Sequence, residues 1–267
     1  MRPFPTTSLI IATYNWPKAL ELSLLSLVKQ VVMPTEIIVA DDGSTDDTRK
    51  LIESFQKKFP IPLKHIWQPD EGFQLGKIRN KAMAAANGEY LLQVDGDLIL
   101  HGSFVKDHLT ACRRGHFIGG SRILLDQNLS NKLLEENKTD ISIFTNGVRN
   151  RLNGLHMPGL ARLIEVFKKE NGLYNLRGCN MSFWKKDIVA VNGYNETIHG
   201  WGREDTELVI RLYNTGIQRV YFKLQGIAYH LYHKDYDRGN LTHNDEIVQL
   251  ALSTKRSYCE NGISQYL

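Results

Sequence analysis

The sequence predicts an α/β protein with a doubly wound, mainly parallel sheet that is flanked by helices. Apolar runs of strand length alternate with amphipathic stretches of helix length through the first half of the chain. Acidic or polar residues close most of these runs, as expected for strands that end at a ligand-binding edge. A chain of 267 residues, of which 42% are hydrophobic, is long enough to bury the core of such a fold.

The first strand is predicted at residues 8–13, where a continuous apolar run ends at Thr13. A turn at residues 14–17 follows, in which Asn15 is the candidate helix cap and Pro17 lies close to the first helical turn. Apolar residues at helical spacing then mark one face of the first helix: Leu20, Leu24, Leu27 and Val28.

Two further strand-and-helix units repeat this arrangement. The second strand, residues 36–40, ends in Asp41 and Asp42, and the helix after it begins near residues 44–47 with Asp42, Asp46 and Asp47 as candidate capping acids. The third strand, residues 63–68, leads through residues 71–76 into another helix. The apolar faces of these two helices contain Leu51, Ile52, Phe55, Ile78, Ala82 and Ala85.

The fourth strand ends in two carboxylates that are one residue apart. Asn87-Gly88 is a turn signal, and the apolar run after it ends at Asp95 and Asp97. Gly96 has no side chain, so both acids can approach one ligand. Right-handed crossovers would bring this strand end to the edge where the first two strands end. Two carboxylates there suit Mg²⁺ or Mn²⁺ held against a diphosphate.

The second half of the chain is less regular. After a predicted helix at residues 103–114 and a strand at residues 117–123, the stretch 126–171 is polar with scattered apolar residues. One face of a helix is indicated there by Leu160, Leu163, Ile164 and Phe167, flanked by Arg162, Lys168 and Lys169. The pattern is typical of an amphipathic surface helix, and an interfacial helix or a lid are the alternatives.

Composition limits the classes of partner and compartment. The 33 Lys and Arg residues against 29 acids leave a net charge of +4, which is too mild to indicate nucleic acid but is compatible with anionic ligands or a membrane surface. No stretch approaches the roughly 20 apolar residues of a membrane-spanning helix, and no signal peptide is indicated. The three cysteines form no Cys-x-x-Cys pair, so a reducing cytoplasm is expected.

Four ordered motifs resemble the nucleotide-binding half of family 2 glycosyltransferases of the GT-A fold. They are Ile-Ile-Ala-Thr-Tyr-Asn, Val-Ala-Asp-Asp-Gly-Ser-Thr-Asp, Arg-Asn-Lys-Ala and Asp-Gly-Asp, and the resemblance covers roughly residues 6–125. It implies a UDP-sugar donor bordered by Thr13, Tyr14, Asn15 and Gln74, with Gly96 between the two acids. It also implies that Asp41 accepts a hydrogen bond from uracil N3, which carries a proton that cytosine lacks at this position. A helix-capping turn is the alternative role for Asp41.

The same resemblance assigns roles to the charged residues of the donor site. Arg79 would approach the uracil or the pyrophosphate, because a guanidinium suits phosphate oxygens. Asp95 would contact the ribose and the metal, and Asp97 the metal directly. The alternative for Arg79 is a solvated helix residue.

A second group of motifs resembles the C-terminal part of β1,4-galactosyltransferases and bacterial chondroitin-type polymerases over roughly residues 175–235. It comprises Arg-Gly-Cys-Asn-Met-Ser, Gly-Tyr-Asn-Glu and a Trp-Gly-x-Glu-Asp core. The resemblance implies that Asp205 is the general base, that Glu204 binds a sugar, and that Trp201 beside Gly202 is a sugar platform. At the start of a helix the dipole would keep the Asp205 carboxylate ionised. Helix capping is the alternative for both acids.

The related proteins also have an Ala-Tyr-His segment whose histidine joins the two acids on the metal. His230 is the predicted ligand and His233 the alternative. Residues 235–239 are a candidate lid. The tail at residues 244–260 is predicted to be an amphipathic helix that packs Ile247, Leu250 and Ala251 on the core.

These features together predict a metal-dependent inverting glycosyltransferase with a donor-binding half at residues 1–125 and an acceptor-binding half at residues 126–267. It would transfer galactose or N-acetylgalactosamine, or alternatively glucose or N-acetylglucosamine, from UDP to a glycan or lipid-linked saccharide. Arg149, Arg151 and His156 could meet an anionic lipid-linked acceptor, and peripheral contact with a membrane is a further expectation. Arg203 and Thr206 depart from the relatives' pattern, so the acceptor specificity of the relatives is not assigned to this chain. The Gln-x-x-Arg-Trp pattern of processive synthases is absent, which predicts single-sugar addition. A nucleotidyltransferase and a non-catalytic glycan-binding module are the other hypotheses.

Overall fold

The computed structural model describes residues 3–167, 172–173, 176–234 and 239–267. The strands are β1 (Thr7–Thr13), β2 (Glu36–Asp41), β3 (Leu63–Trp67), β4 (Tyr90–Asp95), β5 (Leu98–Leu100), β6 (His116–Gly119), β7 (Ile123–Leu124), β8 (Asn180–Trp184), β9 (Gln218–Val220) and β10 (Ala228–His230). The helices are α1 (Pro17–Val28), α2 (Asp46–Gln56), α3 (Leu75–Ala85), α4 (Phe104–Ala111), α5 (Gln127–Glu136), α6 (Pro158–Phe167), α7 (Lys185–Ala190), α8 (Glu204–Asn214) and α9 (Leu241–Ser253).

A seven-stranded sheet in the order β3-β2-β1-β4-β8-β6-β9 forms the centre of the molecule. Its neighbours pair in parallel except for β8, which runs antiparallel to both β4 and β6. The predicted doubly wound, mainly parallel sheet is therefore confirmed. The four predicted strands of the first half are all present. The ends of β1, β2 and β3 differ from the predicted ends by one residue at most.

Helices cover both faces of the large sheet because consecutive strand residues point to opposite sides. On one face, Leu9 and Ile11 of β1 belong to the core that also contains residues of α1, α2 and α4. On the other face, Ile10 lies in a second core with residues of α3 and α8. The second half of the chain thus contributes α8 and β8 to the same fold that the first half begins.

A small sheet in the order β5-β10-β7 lies where the chain leaves the large sheet. Only Gly96 and Asp97 separate β4 from β5, so the Asp-Gly-Asp stretch is the point of transfer between the sheets. The strand predicted at residues 117–123 is wrong in its extent, because the chain changes sheets again between β6 and β7. Gly120 lies in this break, and a Cβ there would be 2.4 Å from the Asn180 side-chain amide.

Other predictions for the second half need correction or remain outside the described residues. Helix α9 begins and ends earlier than predicted, and its buried residues are Asn244, Val248 and Ala251, whereas Leu250 is exposed. The candidate lid falls, except for Gly239, outside the described residues, as do Lys168 and Lys169. Within the described parts of the chain, no helix has the length and apolar character needed to cross a bilayer.

Candidate active site

The carboxyl ends of the central parallel strands meet at one edge of the large sheet. Thr13 at the end of β1 lies beside Asp41 of β2, and Ala12 lies beside Asp95 of β4. Gly96 approaches the end of β1 closely, since its N–H donates to the Ala12 carbonyl at 2.7 Å and a Cβ would be 3.0 Å from that oxygen. The polar residues predicted to border the donor are therefore brought together as expected from the topology.

The small sheet brings histidines to this edge. Strand β10 pairs antiparallel with β5, with His230 opposite Leu98, the residue that follows Asp97. The Leu231 N–H also donates to the Asp97 carbonyl at 3.0 Å. His233 lies on the loop after β10. A histidine far away in sequence thus reaches the Asp-Gly-Asp turn through strand register.

Asp97, His230 and His233 form a group that we call the metal cluster. Asp97 Oδ2 lies 3.4 Å from His230 Nε2 and 3.3 Å from His233 Nε2. The other carboxylate oxygen, Asp97 Oδ1, is buried and has no hydrogen-bond partner. Burial, reinforced by Asp95, raises the pKa of Asp97 to about 8, and burial lowers the pKa of His230 to about 3.

The donor set of the metal cluster fits a divalent ion of the Mn²⁺ type. One carboxylate and two imidazoles could each offer a ligand atom, and these atoms lie within 4.8 Å of one another. The imidazole of His230 is neutral at ordinary pH because of its low pKa, as a ligand must be. Asp97 Oδ1 has no hydrogen-bond partner among the described residues, and a cation bound there would favour the ionised form of this carboxyl group. The structure brings both candidate histidines to Asp97, and which of them binds an ion stays a prediction.

Asp95 is the exception among the predicted metal ligands. It does not belong to the ligand group that the described residues form around Asp97. Its Oδ1 instead accepts a hydrogen bond from Arg79 at 2.8 Å. The two acids of Asp-Gly-Asp therefore face different partners, because Gly96 lets the chain turn between them.

Arg79 is the centre of a second group, the arginine cluster, which also contains Asp95, Tyr194, Glu204 and Asp205. Its side chain is only 1% exposed, and its NH1 donates to Asp205 at 3.0 Å while NH2 donates to Asp95. Glu204 Oε1 lies 3.8 Å from NH1. The prediction that Arg79 approaches uracil or pyrophosphate is not what this geometry favours, since the guanidinium is buried against carboxylates. The surrounding acids raise the pKa of Arg79 further, so it is always charged.

Asp205 and Glu204 occupy the first turn of α8, as predicted. Asp205 Oδ1 accepts hydrogen bonds from both Arg79 and the Tyr194 hydroxyl, the latter at 2.9 Å. Asp205 Oδ2 lies against Gly178, where a Cβ would approach it to 1.8 Å. Gly178 is thus the residue whose missing side chain makes room for the carboxylate.

Burial has the largest effect on the pKa of each of these two acids. Burial raises the pKa of Asp205, and Arg79 partly offsets this rise. Burial and the neighbouring Asp205 raise the pKa of Glu204 to about 8. The expected contribution of the helix dipole to the charge of Asp205 stays a prediction. The cation of Arg79 is the main group that keeps it ionised, and a raised pKa makes an ionised carboxylate a stronger base.

The residues predicted to border the nucleotide lie around the ends of β1 and β2. The buried carboxylate of Asp41 accepts from the Ser44 N–H at 2.8 Å and contacts His65 Nε2 at 2.9 Å. Tyr14 is half exposed, and its hydroxyl donates to Asp70. Their roles toward a nucleotide stay predictions.

Two capping assignments near this site are wrong. Asn15 has a left-handed backbone and does not cap α1, because its side chain accepts from the Thr45 N–H at 2.9 Å and so joins the loops after β1 and β2. Asp42 does not cap α2 but accepts from the backbone N–H of Gln74, the residue before α3. Local sequence could not show that each partner belongs to a different loop.

A cleft of about 480 Å³ opens among the chain segments that precede α3, α8 and α9. Trp201 and Gln74 both line it, together with Phe73 and His199. The backbone of Gly202 has a positive φ of 99°, and that of Arg203 has 82°, a region that glycine adopts without strain. The departure at Arg203 thus places a bulky residue in a left-handed conformation, where its side chain forms an ion pair with Asp245 of α9.

Arg122 was missed from the sequence. It follows β6, which runs parallel to β4, and its positive charge lowers the pKa of both Asp97 and His230. Asn180 secures the loop that carries it by donating to the Ser121 carbonyl at 2.9 Å. The rule that strand ends face the ligand would have found Arg122 if the end of β6 had been placed correctly.

Comparison with known proteins adds to this geometry. The model of glycosyl transferase family 2 matches residues 8–187, and a model described as the N-terminal domain of galactosyltransferase matches residues 159–234. The chain is 31% identical to a chondroitin synthase of Escherichia coli and 28% identical to one of Pasteurella multocida. Each match covers 84% of this chain. It spans only 34% and 24% of those two proteins. A validoxylamine A glucosyltransferase of Streptomyces hygroscopicus is 26% identical over 80% of this chain and 49% of its own.

Solved structures share the fold. A mannosyltransferase from Pyrobaculum calidifontis in complex with GDP-Man and Mn²⁺ matches 87% of this chain and 58% of its own, with a TM-score of 0.61 and 15% identity. GalNAc-T7 with UDP, GalNAc and Mn²⁺ matches 87% of this chain and 45% of its own, with a TM-score of 0.64 and 14% identity. At such identities the likeness shows the GT-A fold alone. The match over residues 8–187 goes further, and the chain belongs to glycosyl transferase family 2.

Proposed function

We propose that this chain is a divalent-metal-dependent, inverting transferase that moves a hexose or an N-acetylhexosamine from UDP to a hydroxyl of a glycan acceptor. Galactose and N-acetylgalactosamine are the preferred donor sugars, because the C-terminal motifs resemble galactosyltransferases and the relatives include chondroitin synthases. The acceptor is a growing glycan or a lipid-linked saccharide.

The observation that carries this proposal is the position of Asp205. Its carboxylate is oriented through one oxygen, Oδ1, by Arg79 and Tyr194, while Oδ2 takes no hydrogen bond from either residue. Arg79 also binds Asp95, which is two residues from Asp97 of the metal cluster. Arg79 therefore connects the candidate base to the strand end that carries Asp97 of the candidate metal cluster.

The reaction is a single displacement. Asp205 Oδ2 accepts the proton of the acceptor hydroxyl while that oxygen forms a bond to the anomeric carbon of the donor sugar. The bond from this carbon to the diphosphate oxygen breaks, and UDP leaves with the electron pair. Arg79 orients the base, and Arg122 is a cation available to the diphosphate.

Asp97, His230 and His233 would hold the ion, which when bound supplies positive charge to the leaving diphosphate. The cleft that Trp201 lines would determine which sugar binds beside the reaction centre. Trp201 offers an aromatic face for a sugar ring, and Gln74 and His199 offer hydrogen-bonding groups beside it. We assign this cleft to the acceptor end of the site, with uracil at Asp41 and Tyr14.

The test is a product analysis with purified protein, Mn²⁺ and each of four donors, UDP-Gal, UDP-GalNAc, UDP-Glc and UDP-GlcNAc, offered with a panel of short glycan acceptors. Transfer with inversion from one or two of these donors supports the proposal. Release of UDP without a glycosylated product under any acceptor would limit the chain to donor hydrolysis. Binding of glycans with neither release nor transfer would contradict the enzymatic assignment.

A further inference from the structure

Residues 141–164 carry an unusual concentration of exposed apolar side chains. Five large apolar residues are exposed there: Leu152 is 79%, Phe144 78%, Leu163 60%, Met157 47% and Leu160 40% accessible. On α6, Leu160 and Leu163 share one side of the helix, whereas the buried Ala161 marks the side that faces the protein. These five residues with Arg149, Arg151 and Arg162 are called the apolar-basic surface below.

The backbone of this segment is held on the body of the protein. Leu125 and Val148 form an antiparallel bridge, and the Arg149 N–H donates to the Leu124 carbonyl at 2.7 Å. Further along, the Met157 N–H donates to the Leu224 carbonyl at 2.8 Å. The outward apolar side chains are therefore presented from a fixed backbone.

The charge of the segment has one sign. Between residues 141 and 164 there are three arginines and no acidic residue. All three arginines are exposed. Arg162 also lines a cleft of about 270 Å³ together with Arg113 and Gln225. The first acid after the segment, Glu165, is paired with Arg113 at 2.8 Å.

Asp140, which precedes the segment, is paired with Lys29. Exposed apolar side chains on a segment that carries arginines and no acids complement the surface of an anionic bilayer. Leucine, methionine and phenylalanine can enter the boundary between headgroups and acyl chains, while arginines contact phosphates. We propose that the apolar-basic surface docks this protein on a membrane that contains anionic phospholipid. The charge argues for this occupant over a second copy of the chain, because two such faces would bring six arginines together.

The position of the surface gives docking a consequence. Leu124 of β7, which accepts from Arg149, lies opposite His230 in the small sheet. The docking segment is thus joined to the strand pair that carries a metal-cluster residue. Resting on the proposed function, this arrangement would place the site close to the headgroups, where a lipid-linked saccharide presents its sugar.

The test is cosedimentation of the purified chain with vesicles of phosphatidylcholine alone and of phosphatidylcholine with 30% phosphatidylglycerol, a mixture on the order used to detect polybasic binding. We expect binding to the anionic vesicles that weakens with salt and is at least tenfold weaker without phosphatidylglycerol. The variant Leu152→Ser/Leu160→Ser/Leu163→Ser should lose at least tenfold in affinity. Arg149→Gln/Arg151→Gln should lose about fivefold per arginine.

The control is Leu250→Ser/Leu252→Ser, which removes two exposed leucines from α9, a helix that also carries acids. It should bind vesicles as the unchanged chain does. Equal loss in this control, or no binding to anionic vesicles at all, would overturn the proposal. So would dimerisation of the unchanged chain that the triple leucine variant abolishes, since the surface would then be a contact between copies.

A parallel measurement separates this inference from the proposed function. The thermal shift caused by UDP with Mn²⁺ should be the same in the leucine variant and the unchanged chain, which also shows that the variant folds. If no nucleotide shifts any form but vesicle binding follows the variants as described, the docking surface stands and the transferase proposal fails.

Discussion

The metal cluster and the arginine cluster begin two residues apart, at Asp97 and Asp95, and neutralise their acids in opposite ways. In the arginine cluster the carboxylates of Asp95 and Asp205 share a buried internal cation, Arg79. In the metal cluster Asp97 has one oxygen without any partner and two imidazoles near the other. In the first cluster Arg79 supplies the cation, although Arg79 Nε and Glu204 Oε2 are also buried without a hydrogen-bond partner among the described residues. In the second cluster we propose that the cation is a bound metal ion.

The difference fits the different roles that we propose for these acids. A carboxylate held by an arginine and a tyrosine keeps a fixed orientation, which suits a base that must meet one hydroxyl. Burial and Asp95 raise the pKa of Asp97 to about 8, so a metal ion that bound there would displace a proton, which suits a ligand that binds metal together with the donor. Gly96 makes the division possible because it lets the chain turn sharply between the two acids.

Removing the base should have the largest effect. Asp205→Asn keeps the shape of the arginine cluster but cannot accept a proton, so turnover should fall by about 10²- to 10⁴-fold. UDP binding in the presence of Mn²⁺ should remain close to normal. Steady-state kinetics and nucleotide titration measure both. Asp46→Asn on the exposed start of α2 is the matched control, and normal turnover in Asp205→Asn would remove this residue from the chemistry.

Displacing the base should reduce turnover nearly as far. In Gly178→Ala the new Cβ would clash with Asp205 Oδ2, so the carboxylate must move by an ångström or more, a shift that costs on the order of 10²-fold. Gly159→Ala, whose Cβ would meet nothing within 4 Å, is the control and should be silent. If the two variants turn over donor equally fast, the close fit of Asp205 on Gly178 has no role.

Weakening the metal cluster should remove the metal dependence of donor binding. Asp97→Asn keeps the volume of the side chain but loses its charge, so Mn²⁺ should no longer strengthen UDP binding. His233→Gln should reduce that effect less, because His230 and Asp97 remain. Calorimetric titration of UDP with and without Mn²⁺ distinguishes the cases. A full Mn²⁺ effect in Asp97→Asn would place the ion elsewhere.

The arginine cluster should also give a pH dependence of stability. Burial raises the pKa of Glu204 to about 8 from an ordinary value of 4.5, so the folded chain keeps this proton over a range in which the unfolded chain has lost it. The contribution is present below pH 4.5 and is lost as pH rises through 8. Glu204→Gln should therefore flatten the fall in urea-unfolding free energy between pH 5 and pH 8. An unchanged slope would contradict the raised pKa.

The smallest effect is expected on stability when Arg203, which departs from the relatives' pattern, is replaced. Arg203→Gly relieves a left-handed backbone but removes an exposed ion pair with Asp245, so stability should rise by no more than about 1 kcal/mol. Thermal unfolding measures the change, with Asp245→Asn as the control for the ion pair alone. Marked destabilisation would show that the side chain of Arg203 contributes more than its exposed position indicates.

Sequence reasoning succeeded where structure depends on local pattern. The strands that end at Thr13, Asp41 and Asp95 are visible as apolar runs, and parallel topology alone predicts that their ends meet. The start of α8 at Glu204 and Asp205 is a local signal of the same kind. These features place the site without any knowledge of long-range contacts.

It failed where partners are chosen by packing across the chain. Nothing local indicates that Arg79 would be buried against Asp95 and Asp205 instead of facing a ligand. Likewise, the register of β10 on β5 brings both His230 and His233 to Asp97, although the sequence offered them only as alternatives. The change of sheet after β6 brings in Arg122, which the predicted strand had hidden. The missing information is which sheet each short strand joins.

The most direct test of the two-cluster division is a thermal-shift comparison of the unchanged chain, Asp97→Asn and Asp205→Asn, each with UDP plus Mn²⁺ and with UDP plus EDTA. We expect Mn²⁺-dependent stabilisation by UDP in the unchanged chain and in Asp205→Asn, and none in Asp97→Asn. Loss of the UDP shift in Asp205→Asn with its retention in Asp97→Asn would reverse the assignment of the two clusters and contradict the proposal.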